Sequence, residues 1–320
     1  MNIIGRYLPL SENIMIPFTQ GLRALFCVLV LSLFASFVFA QRNFDTVQVR
    51  SQKLSDNVFM LTGSGGNIGV CFGEDGIFII DDQFAPLSDK IKKAIVEETK
   101  SAKPVRFVLN THWHGDHTGG NENMEKDGAV IIAHENVRKR MSVEHFNEFF
   151  KSTTPPSPKA VLPIVTFTQD VTLHLNGDDV HVFHVEPAHT DGDAIIHFTK
   201  SNIMHMGDVF FWGLYPFIDV SSGGSLNGMI AAVDNILPLV NDETKIIPGH
   251  GKLAGKKELK MYRDMLSSIR DTMMTLIKEG KTLDQIKAAK PTAVFDEQWG
   301  KGFLPPDNFV ELLYSDLTRK

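Results

Sequence analysis

Short apolar runs dominate the chain beyond residue 46, around Val47–Val49, Val58–Leu61, Ile68–Phe72 and Ile77–Ile80. They are rich in β-branched and aromatic residues and are cut by Ser55-Asp56-Asn57 and Gly73-Glu74-Asp75-Gly76, which predicts strands joined by tight turns. Thr62-Gly63-Ser64-Gly65-Gly66-Asn67 reads as a flexible hairpin turn, since it lacks the lysine and following helix of a phosphate-binding loop. The period then lengthens. Ser88 is placed to cap a helix from Asp89 to Thr99, with Ile91, Ala94 and Ile95 on one face. Val105–Leu109 reads as a strand, Gly119-Gly120 opens a short helical stretch, and a strand follows at Val130–Ala133. A polar helix is expected from Glu135 to Phe150, and Ser152 to Pro163 forms a proline-rich loop at the junction of two halves.

The second half repeats this order. Strands are expected at Val171–Leu175, Val180–His184, Ala194–Phe198 and Ile203–Met206, with Asn176-Gly177-Asp178-Asp179 as a hairpin turn. A helix at Leu226–Leu237 and a strand at Thr244–Ile247 follow, then helical segments Lys256–Glu279, Leu283–Ala289 and Pro306 to Lys320. Strands followed by helices thus occur twice without any repeat of residue identity. The pattern predicts an α+β chain in which two mixed sheets pack together with helices outside.

Composition narrows the class. The 320 residues are 43% hydrophobic and 22% charged with a net charge of −6, as in a soluble globular protein and without the basic patch of a nucleic-acid surface. Residues 1–40 stand apart. Ala24 to Ala40 is almost wholly apolar, Arg23 precedes it, small residues stand near its end, and Val38-Phe39-Ala40 offers a cleavage site before Gln41, as in a secretory signal peptide. At about 17 residues the segment is at the short limit for a membrane span, and retention as an anchor is the alternative. Met15 would be a more usual start than Met1. Cleavage after Ala40 would leave a domain of residues 41–320, periplasmic or secreted, without a stable membrane anchor. It would also remove Cys27 and leave Cys71 with no internal disulfide partner. Cys71 lies in the apolar run Ile68–Phe72 and reads as a buried strand residue.

The chemistry concentrates in Thr111-His112-Trp113-His114-Gly115-Asp116-His117. Imidazole and carboxylate are ligands for zinc and its neighbours. His112 and His114, two apart, can reach one ion as the chain leaves a strand, while Asp116 and His117 turn toward a second position. Three later turns, each beyond a strand, supply further candidates: His189 in Glu186-Pro187-Ala188-His189-Thr190-Asp191-Gly192-Asp193, Asp208 after Met206-Gly207, and His250 in Pro248-Gly249-His250-Gly251. Glycine-framed polar residues at strand ends are where scaffolds present reactive groups. His174, His181, His184 and His197 fall within strands, and His134 and His145 in or near a helix, so all read as ordinary surface or core residues. His205, two residues before Gly207, is a candidate to back the ligands.

In these residues the chain resembles the metallo-β-lactamase superfamily of hydrolases. His112, His114, Asp116, His117, His189, Asp208 and His250 match in the family's order. The resemblance implies a four-layer αββα sandwich of two similar half-folds with a dinuclear metal site at one edge. It implies that His112, His114 and His189 bind the first metal, that Asp116, His117 and His250 bind the second, and that Asp208 bridges them. Two zinc ions are expected, with iron or manganese admitted by the oxygen donors. They would activate a water for attack on a carbonyl carbon, with Asp116 orienting it.

The expected substrate is a small cyclic amide or ester, as for a β-lactamase, and export favours that role. Lactonase or thioesterase action on the same centre is the alternative, because Asp208 stands where zinc β-lactamases of the cysteine-ligand type differ. Phe211 occupies the position of their carboxylate-binding lysine. The run Val209 to Phe217 could wall an apolar pocket, and Tyr215 could donate a hydrogen bond to the carbonyl oxygen. An exported metal- or ligand-binding module without efficient catalysis is the competing class.

Overall fold

A computed structural model describes residues 43–319. The candidate signal peptide therefore lies outside the described residues, and these contain no helix long and apolar enough to cross a membrane.

Two mixed sheets organise the chain. The first has seven strands in the order Arg50–Lys53, Val58–Thr62, Ile68–Gly73, Gly76–Ile80, Val105–Asn110, Val130–His134 and Val165–Phe167. The second runs Asp170–Leu175, Asp178–His184, Ala194–Phe198, Ile203–His205 and Lys245–Ile247. Each begins as an antiparallel meander and ends in parallel pairing. The first parallel crossover in each is made by a helix, Ser88–Thr99 in one and Leu226–Ile236 in the other. The two halves are alike in topology, as the order of apolar runs predicts.

Alternation along the strands explains why the sheets stack. Val58 and Met60 face Val180, Val182 and Ile196 of the second sheet, while Phe59 and Leu61 point outward onto Ile91 and Ile95 of the helix Ser88–Thr99. Phe78 and Phe198 meet across the interface with ring centroids 6.3 Å apart. On the far side, Ile195 and Ile246 pack under Leu226–Ile236, Lys256–Lys278 and Pro306–Thr318. The central strands of both sheets are therefore buried on both faces, giving the αββα sandwich.

Cys71 is fully buried between the sheets. Burial pushes its thiol up to about 11, with the Asn176 amide 3.5 Å away acting weakly in the other direction. Because the thiolate is the reactive form, alkylation of Cys71 at pH 8 is expected to be about a hundredfold slower in folded than in urea-unfolded protein. Mass spectrometry of the Cys71 peptide measures this.

Three sequence expectations shift. The first strand is Arg50–Lys53 rather than Val47–Val49, whose valines instead pack against the first sheet's outer core. The helix expected through Phe150 ends at Met141. Asn147 Oδ1 accepts the N–H groups of Phe149 and Phe150, both at 3.0 Å, and competes with helical bonding. Lys151 then turns the chain at φ 50° so that His145–Asn147 pairs with Ser152–Thr154. Val165–Phe167, unassigned by periodicity, completes the edge of the first sheet beside Val130–His134.

Candidate metal centre

The seven candidate residues meet at one edge of the sandwich. Val105–Asn110, Asp178–His184, Ile203–His205 and Lys245–Ile247 each end there and release a turn, and the turns carry His112–His117, His189, Asp208 and His250. Carboxyl ends of strands in such sheets leave a crevice where side chains from distant segments converge. Their donor atoms form two groups, His112, His114, His189 and Asp208, and Asp116, His117 and His250, each within 4.8 Å internally.

Every shared orientation is enforced from outside. His117 Nδ1–H donates to Asp81 Oδ2 at 2.7 Å, and His189 Nδ1–H donates to the Phe217 carbonyl at 2.7 Å. His114 Nε2–H donates to Asp219 Oδ2 at 2.9 Å. Thr111 Oγ1 gives its proton to Asp81 Oδ2 at 2.8 Å and so accepts from His112 Nδ1–H at 3.0 Å. Each of these outward bonds aims the other ring nitrogen inward, the arrangement a metal ligand needs. His112 Nε2 and His189 Nε2 lie 3.1 and 2.8 Å from His114 Nδ1, and His117 Nε2 lies 3.3 Å from His250 Nε2. Nitrogens bound tetrahedrally at 2.0–2.1 Å sit about 3.3 Å apart, so these spacings fit a cation.

Asp208 lies between the groups. Its Oδ2 is 3.8 Å from His112 Nε2, 3.5 Å from His189 Nε2 and 3.4 Å from His250 Nε2, and its Oδ1 is 3.1 Å from His117 Nε2. Oδ1 is buried and makes no hydrogen bond of acceptable geometry, so it remains available as a donor to a cation. Backbone closeness on both sides depends on glycine. A Cβ on Gly249 would lie 2.0 Å from Asp208 Oδ1, and one on Gly66 would lie 2.1 Å from the His117 ring. The glycine-rich hairpin is thus part of the centre's wall.

Burial drives His112 toward its neutral form, aided by the charge on His117, and lowers His189 to about 4. These two are ready ligands near neutral pH. For His117 and His250 burial acts the same way but is outweighed by carboxylates, chiefly Asp208, so His117 is raised and His250 reaches about 9. Burial alone would raise Asp116 and Asp208, yet facing histidines hold both below the usual carboxylate range. A cation at the second group must displace protons, so its binding weakens as pH falls.

Residues that the sequence reading passed over do much of this positioning. Asp81 also accepts the Thr111 N–H at 2.8 Å, so one carboxylate holds a histidine of each group. It stands immediately after the apolar run Ile77–Ile80, the same strand-end signal that marked the ligands. Asp219 has no such signal. His205 touches no ligand directly. Its Nε2–H donates to the Asn67 carbonyl at 3.1 Å, and its Nδ1 accepts from Gly207 N–H at 3.2 Å. Asn67 in turn donates to the Pro248 and Gly251 carbonyls at 2.8 and 3.0 Å, which brace the turn carrying His250. Tyr215 is not at the centre. Its hydroxyl lies 2.8 Å from Asp296 Oδ1 and 3.2 Å from the Thr292 carbonyl, and its ring stacks on Phe309.

A family model described as the metallo-beta-lactamase superfamily matches residues 61–250, which span every one of these ligand candidates. The chain belongs to the metallo-beta-lactamase superfamily. It is similar to the 2,4-dinitroanisole O-demethylase subunit alpha of Nocardioides sp. (strain JS1661), at 20% identity over 75% of this chain and 70% of that one. A hydroxyacylglutathione hydrolase of Pelagibacter ubique is 28% identical over 51% of this chain and 63% of its own length. A metallo-beta-lactamase type 2 of Bacillus cereus is 23% identical over 69% and 84%. Among solved structures, a metallo-beta-lactamase from Pontibacter korlensis superposes with a TM-score of 0.57 at 19% identity, over 69% of this chain and 99% of that one, which shows the shared fold. This metallo-beta-lactamase superfamily member is accordingly a metal-dependent hydrolase.

Proposed function

We propose that this protein is an exported hydrolase with two zinc ions that opens a carbonyl bond of a small cyclic amide or ester, in the manner of a β-lactamase. His112, His114 and His189 would hold one ion, Asp116, His117 and His250 the other, and Asp208 would bridge them. Iron or manganese suits the same donors. The observation that carries this reading is Asp208, within 3.8 Å of two imidazoles from each group. Bound ions would lower the pKa of water and polarise the carbonyl. Asp116, the more accessible carboxylate at 28% exposure, stays ionised near neutral pH and can accept a proton from the attacking water.

A lactone or thioester is the second reading. Two observations favour it: a carboxylate rather than a thiolate lies between the groups, and Phe211 stacks on His250 at 5.2 Å where a lysine would attract an anionic substrate. The relative named hydroxyacylglutathione hydrolase supports it.

The test is purified, metal-loaded protein assayed on β-lactams, lactones, thioesters, alkyl sulfates and phosphodiesters, with metal analysis. Turnover abolished by a chelator and restored by zinc is the expected result. Full metal content with no turnover across the panel would establish a binding module instead.

A further inference from the structure

A row of phenylalanine rings leads away from the candidate metal centre. Phe217 stands 6.0 Å from the His114 ring and 6.1 Å from the His189 ring, measured between centroids. Phe150 is 4.8 Å beyond Phe217, and Phe303 is 5.7 Å beyond Phe150. Exposure rises along the row from 9% to 43% to 70%. Phe149 closes the side, 6.0 Å from Phe217 and 5.1 Å from Phe150. Contiguous exposed apolar surface is uncommon on a soluble protein and marks a binding face.

The row is tied to the centre by its anchoring. Phe149 and Phe150 lie in the turn between His145–Asn147 and Ser152–Thr154. Asn147 donates to Asp219 Oδ1 at 3.3 Å, while Asp219 Oδ2 holds His114. Glu148 N–H donates to Ser221 Oγ at 3.1 Å, and His145 meets Ser222 Oγ at 3.3 Å. One carboxylate therefore holds a candidate ligand and seats the hairpin that presents Phe150. At the inner end, the Phe217 carbonyl fixes His189. The apolar trail starts on the rings that would hold the reacting centre and ends in solvent.

We propose that Phe217, Phe150 and Phe303 form the binding face for the apolar portion of the substrate, a hydrocarbon chain carried beside the scissile carbonyl, on an acyl group or on the ring that is opened. This rests on the hydrolase reading and deepens it. Substrates with long, uncharged chains would cover the exposed rings, and compact or anionic ones would not.

The test uses metal-loaded protein and acetyl, butanoyl and octanoyl esters or thioesters or, where only a ring is opened, lactones or β-lactams with methyl, propyl and heptyl groups on the carbon beside the carbonyl as the corresponding series. The wild type is expected to prefer the longest member of the series to the shortest by about a hundredfold in kcat/KM, and Phe150→Ser and Phe303→Ser each to reduce that preference about tenfold. Phe150→Leu should retain most of it. Leu239→Ser, exposed outside the row, should leave it intact. Metal content and thermal midpoint are measured for every variant. Unchanged preference in both serine variants overturns the proposal, as does a change of oligomeric state by size exclusion without a change in preference. If no class is hydrolysed, the hydrolase reading fails separately. Calorimetric titration with methyl octyl ketone then decides the binding face: binding weakened in both serine variants supports it, and equal binding overturns it.

Discussion

Asp208→Ala is expected to reduce kcat/KM by about a thousandfold or more, because several kcal/mol of charge stabilisation at about 1.4 kcal/mol per decade would be lost. The reason is its location. Its two oxygens lie 3.1 to 3.8 Å from His112, His117, His189 and His250, two imidazoles of each group. Removing it leaves four imidazoles converging with no intervening anion. If two ions are held as proposed, metal content by mass spectrometry should fall to one or fewer per chain. Asp208→Asn keeps the shape but not the charge and should restore little. Wild-type turnover with two ions bound in Asp208→Ala would sink the bridging assignment.

Asp81→Ala should lose both stability and metal affinity. Asp81 is fully buried and accepts from Thr111 N–H, Thr111 Oγ1–H and His117 Nδ1–H. Leaving such donors unpaired in the interior costs about 3 kcal/mol, measured as a lower urea midpoint. The backbone adds to this, since Asp81 sits at φ 61°, where alanine is strained and asparagine is tolerated. Asp81→Asn should therefore lose less stability than Asp81→Ala, although its amide NH2 must face one of these donors. It cannot stabilise the His117 tautomer as an anion does, so zinc affinity should fall by about ten- to a hundredfold in both variants. Zinc affinity unchanged in Asp81→Ala would show that the His117 ring is held without it.

Legibility in the sequence followed the kind of interaction. Ile77–Ile80 and Val105–Leu109 were readable as strands because burial on both faces demands an apolar residue at every position, a strictly local requirement. The candidate ligands were readable because His112 to His117 lie together in the chain and because His189, Asp208 and His250 each follow a strand. The hairpin His145–Asn147 with Ser152–Thr154 was not. Its residues suit a polar helix, and the turn is held by contacts to a distant segment, Asn147 to Asp219, Glu148 to Ser221 and His145 to Ser222. Tyr215 shows the same limit, since its aromatic neighbours in the chain say nothing of Asp296, which its hydroxyl reaches.

By itself the sequence implied two packed mixed sheets with helices outside and offered the seven candidate donors, since periodicity and strand-end motifs are local; the αββα sandwich and the grouping around Asp208 came through the resemblance those residues carry. The tertiary structure decided the distances: it brings the donor atoms of each group within 4.8 Å of one another and sets the Asp208 oxygens 3.1 to 3.8 Å from four imidazoles. It also decided that Asp81 and Asp219 aim the imidazoles, and that Phe150 and Phe303 continue the wall of the centre. Those relations join segments tens to hundreds of residues apart, and only the stacking of the two sheets brings them within hydrogen-bond range.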